Sequence, residues 1–123
     1  MTKIQNYKGE YIQETLEEVL DEVVTSITSE YPQATVILFG SYARGDYHKD
    51  SDLDFCVLVP EIVGGRRDMN VDIQCTVRDD IDVSMDFLLF TNDEFEKMSK
   101  VPSRIHHAIK KEGVFLNGQI RGY

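Results

Sequence analysis

The chain has 123 residues, with 13 Lys and Arg against 22 Asp and Glu, a formal net charge of −9. That length suits one domain spanning residues 1–123, large enough to fold without disulfide or metal staples. The charge opposes sequence-independent binding to nucleic acid, which requires a basic face. Cys56 and Cys75 stand in no C-x-x-C or Cys/His spacing, which argues against a zinc or redox centre and reads as two reduced, packing thiols of a cytoplasmic protein. The opening MTKIQNYKGEYIQ has no apolar leader region, and no run approaches a membrane-spanning length, so neither secretion nor membrane insertion is expected.

In chain order, Ile12, Leu16, Val19, Leu20, Val23, Val24 and Ile27 form an apolar stripe at helical spacing, with Glu14, Glu17, Glu18, Asp21 and Glu22 on the other faces. This predicts an amphipathic helix that ends near Tyr31-Pro32, because the residue before a proline leaves the α region. TVILFG (35–40) and LDFCVLVP (53–60) read as buried strands closed by Gly and Pro. Residues 62–78 fit two periods: Met69, Ile73 and Val77 keep helical spacing, while Val71, Ile73, Cys75 and Val77 alternate. A loop followed by a helix is the reading taken. IDVSMDFLLF (81–90) predicts a third strand, and TNDE after it matches a capping box with Thr91 as N-cap and Glu94 reaching back. PSRIHHAIKKEG predicts a last helix, with Pro102 at its start, Ile105 and Ile109 on one face, and Gly113 as its stop. The order implies an α/β (α+β) fold, a small mixed sheet with helices packed on it.

The chemistry gathers in FGSYARGDYHKDSDLDF, residues 39–55. Asp52 and Asp54, two apart on a strand, project to one face, while Leu53 and Phe55 turn into the packing. A D-x-D pair alone is an ordinary solvated strand end. Two adjacent carboxylates also suit Mg²⁺, which takes oxygen ligands and keeps room for substrate phosphates. Gly40 and Ser41 place backbone N–H groups in a turn where they can meet phosphate oxygens, and Arg44 adds a permanent cation. Asp54 precedes FCVLV and Asp86 precedes FLLF, so side-by-side pairing of these strands brings both acids out at one end of the sheet. Asp82 shares Asp86's face but stands further out, which favours Asp86 as the third carboxylate. Acids at positions 1, 3, 5 and 12 from Asp50 resemble an EF-hand loop, yet Phe55 stands where that loop needs Gly, and a strand follows in place of a helix.

Other polar and aromatic residues carry blander readings. His106-His107 lacks the i, i+4 partner of a helical metal site and is read as structural or surface. His48, beside Lys49, is read as a solvated loop position. Tyr42 and Phe39 are placed to pack beside the turn or to stack on a base.

The strand, Gly40-Ser41, the spacer and DLDF resemble the G-S … D-x-D signature of the nucleotidyltransferase fold shared with DNA polymerase beta. GSYARG with SDLDF is similar to its minimal bacterial and archaeal branch, and the resemblance runs from the first helix to AIKKEGVFLNG. It implies that Gly40, Ser41 and Arg44 hold the nucleotide phosphates, that Asp52, Asp54 and Asp86 bind Mg²⁺ or Mn²⁺, and that ATP or another NTP is the substrate. Residues 62–78 match no part of the signature. Two metals clamping attacking and leaving oxygens would leave the protein mainly to position and neutralise.

The expected activity is transfer of a nucleoside monophosphate, AMP above others, to an acceptor hydroxyl. The alternatives by class are a non-catalytic nucleotide- or partner-binding module, and an enzyme acting on a small molecule, as aminoglycoside nucleotidyltransferases do. The chain ends about ten residues after Gly113, too few for a helical domain that would wall an acceptor pocket. The expected acceptor is therefore a small helical partner protein, as for antitoxins that modify a HEPN-type toxin.

Overall fold

Thr15 and Thr91 open helices in the same way. Each threonine hydroxyl accepts from the backbone N–H three residues on, and the glutamate there, Glu18 or Glu94, accepts from the threonine's own N–H. Both reciprocal pairs satisfy donors that a bare helix start would leave orphaned. A computed structural model of the chain describes residues 2–6, 8–78 and 81–117. The elements run β1 (Lys3–Gln5), β2 (Tyr11–Thr15), α1 (Leu16–Glu30), β3 (Thr35–Phe39), α2 (Ser41–Arg44), β4 (Leu53–Val59), α3 (Arg66–Arg78), β5 (Met85–Thr91), α4 (Asn92–Met98), α5 (Ile105–Glu112) and β6 (Val114–Phe115).

Among the described residues, β1 and β2 form a separate antiparallel pair, and a four-stranded mixed sheet runs in the order β5-β4-β3-β6. Strand β4 is parallel to β5, while β3 is antiparallel to both β4 and β6. Period-two alternation sorts the faces. Val36, Leu38, Phe55, Val57 and Phe87 pack with Val19, Val23 and Ile27 of α1 and Ile73 of α3. Ile37, Cys56 and Leu58 point the other way, against Phe95 of α4 and Ile109 of α5. Each such fully buried aliphatic or aromatic side chain favours folding by about 1.5–3 kcal/mol. By the same alternation Asp54 and Asp86 belong to the second face, at the strand ends, where Asp54 is half-buried and Asp86 exposed.

The mixed α/β sheet agrees with the sequence expectation; several boundaries move. The first helix begins at Leu16 rather than Ile12, because Thr15 caps it and Tyr11–Thr15 pair with β1. The third strand begins at Met85 rather than Ile81, after Ser84 accepts a bond from Leu53 N–H. The last helix begins at Ile105, beyond Pro102, and Ile105 is exposed while Ile109 is fully buried. Cys75 is exposed, so only Cys56 packs in the core, where burial pushes its thiol up to about 12. The stretch that carries the family resemblance runs on to Gly118, which lies outside the described residues. Among the described residues no helix is long and apolar enough to cross a membrane.

Candidate active site

The chain leaves β3 at Phe39 and enters α2 through Gly40, whose φ of 79° lies in the left-handed region that side chains rarely adopt. A β-carbon on Gly40 would overlap the Oδ2 of Asp54. The strand-to-helix turn thus brings backbone directly against that carboxylate. The Gly40 carbonyl accepts from the N–H groups of Ala43 and Arg44 at 3.1 and 3.0 Å, so the amides of Ser41 and Tyr42 precede the first intrahelical bond.

Asp54 and Asp86 are partners on one rung of the parallel β4–β5 ladder, and Phe39 faces Asp54 on the antiparallel side. Neighbouring strands lie about 4.8 Å apart, so the two carboxylates extend from one end of the sheet as near neighbours. Asp52 immediately precedes β4 on the same alternating face and is exposed. Asp82 lies in the connection before β5, outside the ladder. Loss of solvation, with the charges of Asp86 and Asp52 behind it, pushes the Asp54 carboxyl up to about 6, and Arg44 opposes that rise. Such a site is short of positive charge, and its donors are all hard oxygens, the set a divalent cation prefers. Among the described residues no three His, Cys, Asp or Glu side chains close around a single ion position. These acids stand at an open end of the sheet, so a cation held there would keep positions for oxygen ligands other than the protein's.

Arg44 stands at the end of α2, where its Nε lies 3.2 Å from Asp46 and its Nη1 lies 3.1 Å from Glu112 of α5. Its guanidinium is thus held between two carboxylates beside the site. Tyr42 stacks on Tyr47, with ring centres 4.2 Å apart and planes 11° from parallel. Burial, then Tyr47 and Asp52, raises the Tyr42 hydroxyl pKa above its ordinary value. His48 is engaged in its own turn, where its N–H donates to Ser51 Oγ and its Nδ1 accepts from Asp50 N–H. His106 of α5 lies against Phe90 of β5 and near Phe95 of α4, and His107 Nδ1 is 2.9 Å from the carbonyl of Ser99 at the end of α4.

Sequence reading missed what the β1–β2 hairpin contributes. A polar cavity of about 470 Å³ runs from Asp52 and Ser84 to Asn6 and Gly9, with Lys8 and Lys49 in its wall. Strands as short as β1 carry no periodic signal, and the single usable cue was Gly9 in a turn-like context.

The family described as Nucleotidyltransferase domain matches residues 20–116, a span that contains Gly40, Ser41, Arg44, Asp52, Asp54 and Asp86. MJ0141 of Methanocaldococcus jannaschii, provisionally named a protein adenylyltransferase, is 67% identical over 27 residues, which are 22% of this chain. The match spans 27% of that relative's own length. A crystal structure of a Sulfolobus solfataricus protein, provisionally named a nucleotidyltransferase, superposes with a TM-score of 0.59 at 22% identity, covering 85% of this chain and 82% of the other. A toxin-antitoxin crystallised with AMP-PNP superposes with a TM-score of 0.54 at 20% identity, covering 80% and 73%. At these identities the two structures share the fold.

Proposed function

For a chain that belongs to the nucleotidyltransferase domain family, we propose that the edge formed by Gly40, Asp52, Asp54 and Asp86 transfers AMP from ATP to a hydroxyl of a partner protein. The observation that carries this reading is the rung that sets Asp54 beside Asp86, with Gly40 backed against it. Asp52, Asp54 and Asp86 are the residues that would hold Mg²⁺ or Mn²⁺. That cation, when bound, supplies charge to the phosphate oxygens and to the leaving group.

The protein's own groups do the positioning. Backbone N–H groups of Ser41 and Tyr42 meet phosphate oxygens, and Arg44, Lys8 and Lys49 offset the triphosphate's charge around them. Asp86 faces the acceptor hydroxyl and takes its proton as that oxygen bonds to the α-phosphorus. The bond from the α-phosphorus to the bridging oxygen breaks, and pyrophosphate leaves. A protein acceptor is supported by the name of the M. jannaschii relative and by the toxin-antitoxin assembly of one fold neighbour. The −9 charge favours a basic protein over nucleic acid.

The test is incubation with α-labelled ATP, Mg²⁺ and the product of the adjacent gene. A labelled protein band that the Asp52→Asn chain fails to produce supports the reading. Label appearing only on a small molecule replaces the protein acceptor with a small-molecule one.

A further inference from the structure

A second cavity, of about 640 Å³, lies at the opposite end of the sheet, between the end of α1, the start of β3, the end of β4 and the first turns of α3. From Asp54 to Val59 the strand rises about 17 Å at roughly 3.3 Å per residue, so this space is separate from the carboxylate edge. Pro32, Ala34, Val59 and Met69 give it an apolar floor, and Tyr31 stands in its wall. Its polar lining includes Glu30, Glu61, Asp68 and Asp72 and, among the described residues, no Lys or Arg. The ion pairs among the described residues engage none of these four acids. Two of them are held by neutral donors instead. The Tyr31 hydroxyl donates to Asp72 at 2.5 Å, and the Thr76 hydroxyl shares its one proton between Glu30 at 3.2 Å and the Asp72 carbonyl at 3.0 Å. Val63 stands at the lip with 67% of its surface exposed.

From this lining we infer that the cavity is a binding site for a small organic cation, an alkyl or aralkyl ammonium, unrelated to the nucleotide chemistry. The volume falls within the range of small-molecule sites, roughly 300–1,000 Å³. An apolar body gains by leaving water against Pro32, Val59, Met69 and Val63. An ammonium head is attracted by the four carboxylates of the lining, with the Tyr31 ring in the same wall. A neutral molecule of the same shape would forgo the charge attraction, and an anion would be repelled by it.

Phenethylammonium, phenethyl alcohol and phenylacetate make a matched set of probes, read by backbone amide shifts in NMR titrations. The expected result is saturable shifts at Tyr31, Ala34, Val63 and Met69 with the ammonium, about tenfold weaker binding of the alcohol, and none of the acid. Asp68 and Glu61 are exposed, so Asp68→Asn and Glu61→Gln should keep the fold and its melting temperature while weakening the ammonium several-fold. Equal binding of alcohol and ammonium, shifts confined to another region, no saturation with the ammonium, or unchanged affinity in both variants would overturn the assignment.

Discussion

Gly40 is backed against Asp54 so closely that a single added carbon would overlap the carboxylate. Two independent constraints meet at that one position, because the backbone also holds a positive φ of 79°. No side chain can therefore be added at Gly40 without displacing the Asp54 carboxylate.

Gly40→Ala should for that reason cost about 1–3 kcal/mol of stability, from backbone strain and from displacement of Asp54. Denaturant unfolding measures the first effect. Calorimetric NTP binding measures the second, and should fall further than stability does, because the carboxylate is pushed aside in chains that remain folded. Retained stability and binding would mean that the turn is not as tight as described.

The pH dependence of stability follows from Asp54. Its carboxyl has a folded value of about 6 against an ordinary 3.8, so between these values the native state retains a proton that the unfolded chain has lost. Stability contributed by this group is then full below about pH 4 and is lost as pH rises towards 6. Asp54→Asn should melt higher than the parent at pH 7.5, with the gap closing at pH 4. A bound divalent cation favours the charged form, so Mg²⁺ should raise the parent's melting temperature at pH 7.5 and much less at pH 5. Thermal melts across this range, with and without Mg²⁺, check both.

Asp86 and Asp82 should separate cleanly in activity. Asp86 shares a rung with Asp54, and its charge contributes to the raised value there, so Asp86→Asn should abolish pyrophosphate release while leaving melting unchanged or higher. Asp82 lies outside the ladder, and Asp82→Asn should stay within a few-fold of the parent. The reverse ranking would reassign the third carboxylate.

The α4 capping box supports a stability prediction away from the site. Thr91→Ala should lower stability by about 1 kcal/mol, read from a shifted denaturant midpoint at constant slope. Glu94, bridged to Arg66 at 2.6 Å, is held down to about 2 by Arg66 and then by the Thr91 N–H. Its contribution is present above the ordinary value of 4.5 and disappears as pH falls towards 2. The stability gap between Glu94→Gln and the parent should shrink over that window.

Local signals were enough for much of the molecule. The TNDE capping box, the β-branched runs that became β3 and β4, and the spacing that places Asp52 with Asp54 depend on residues within a few positions of each other, and chain stereochemistry acts at that range. The same range explains the boundaries that moved. Ile12 fits the helical stripe by spacing, yet pairing with Lys3–Gln5 draws Tyr11–Thr15 into a strand. Residues 62–78 were open to two periods until packing chose between them: Met69, Ile73 and Val77 are buried, whereas Val71 and Cys75 are exposed, which only a helix satisfies. The apolar runs after Asp54 and Asp86 already put both acids at one end of the sheet on condition that their strands pair, and the parallel β4–β5 ladder meets that condition. Only the third dimension decided that Gly40 abuts Asp54, that Glu112 reaches Arg44 from another helix, and that the hairpin brings Lys8 into one cavity wall with Asp52. Each of these joins residues far apart in the chain, and such contacts are fixed by strand register and the burial of opposite sheet faces, which no short window of sequence contains.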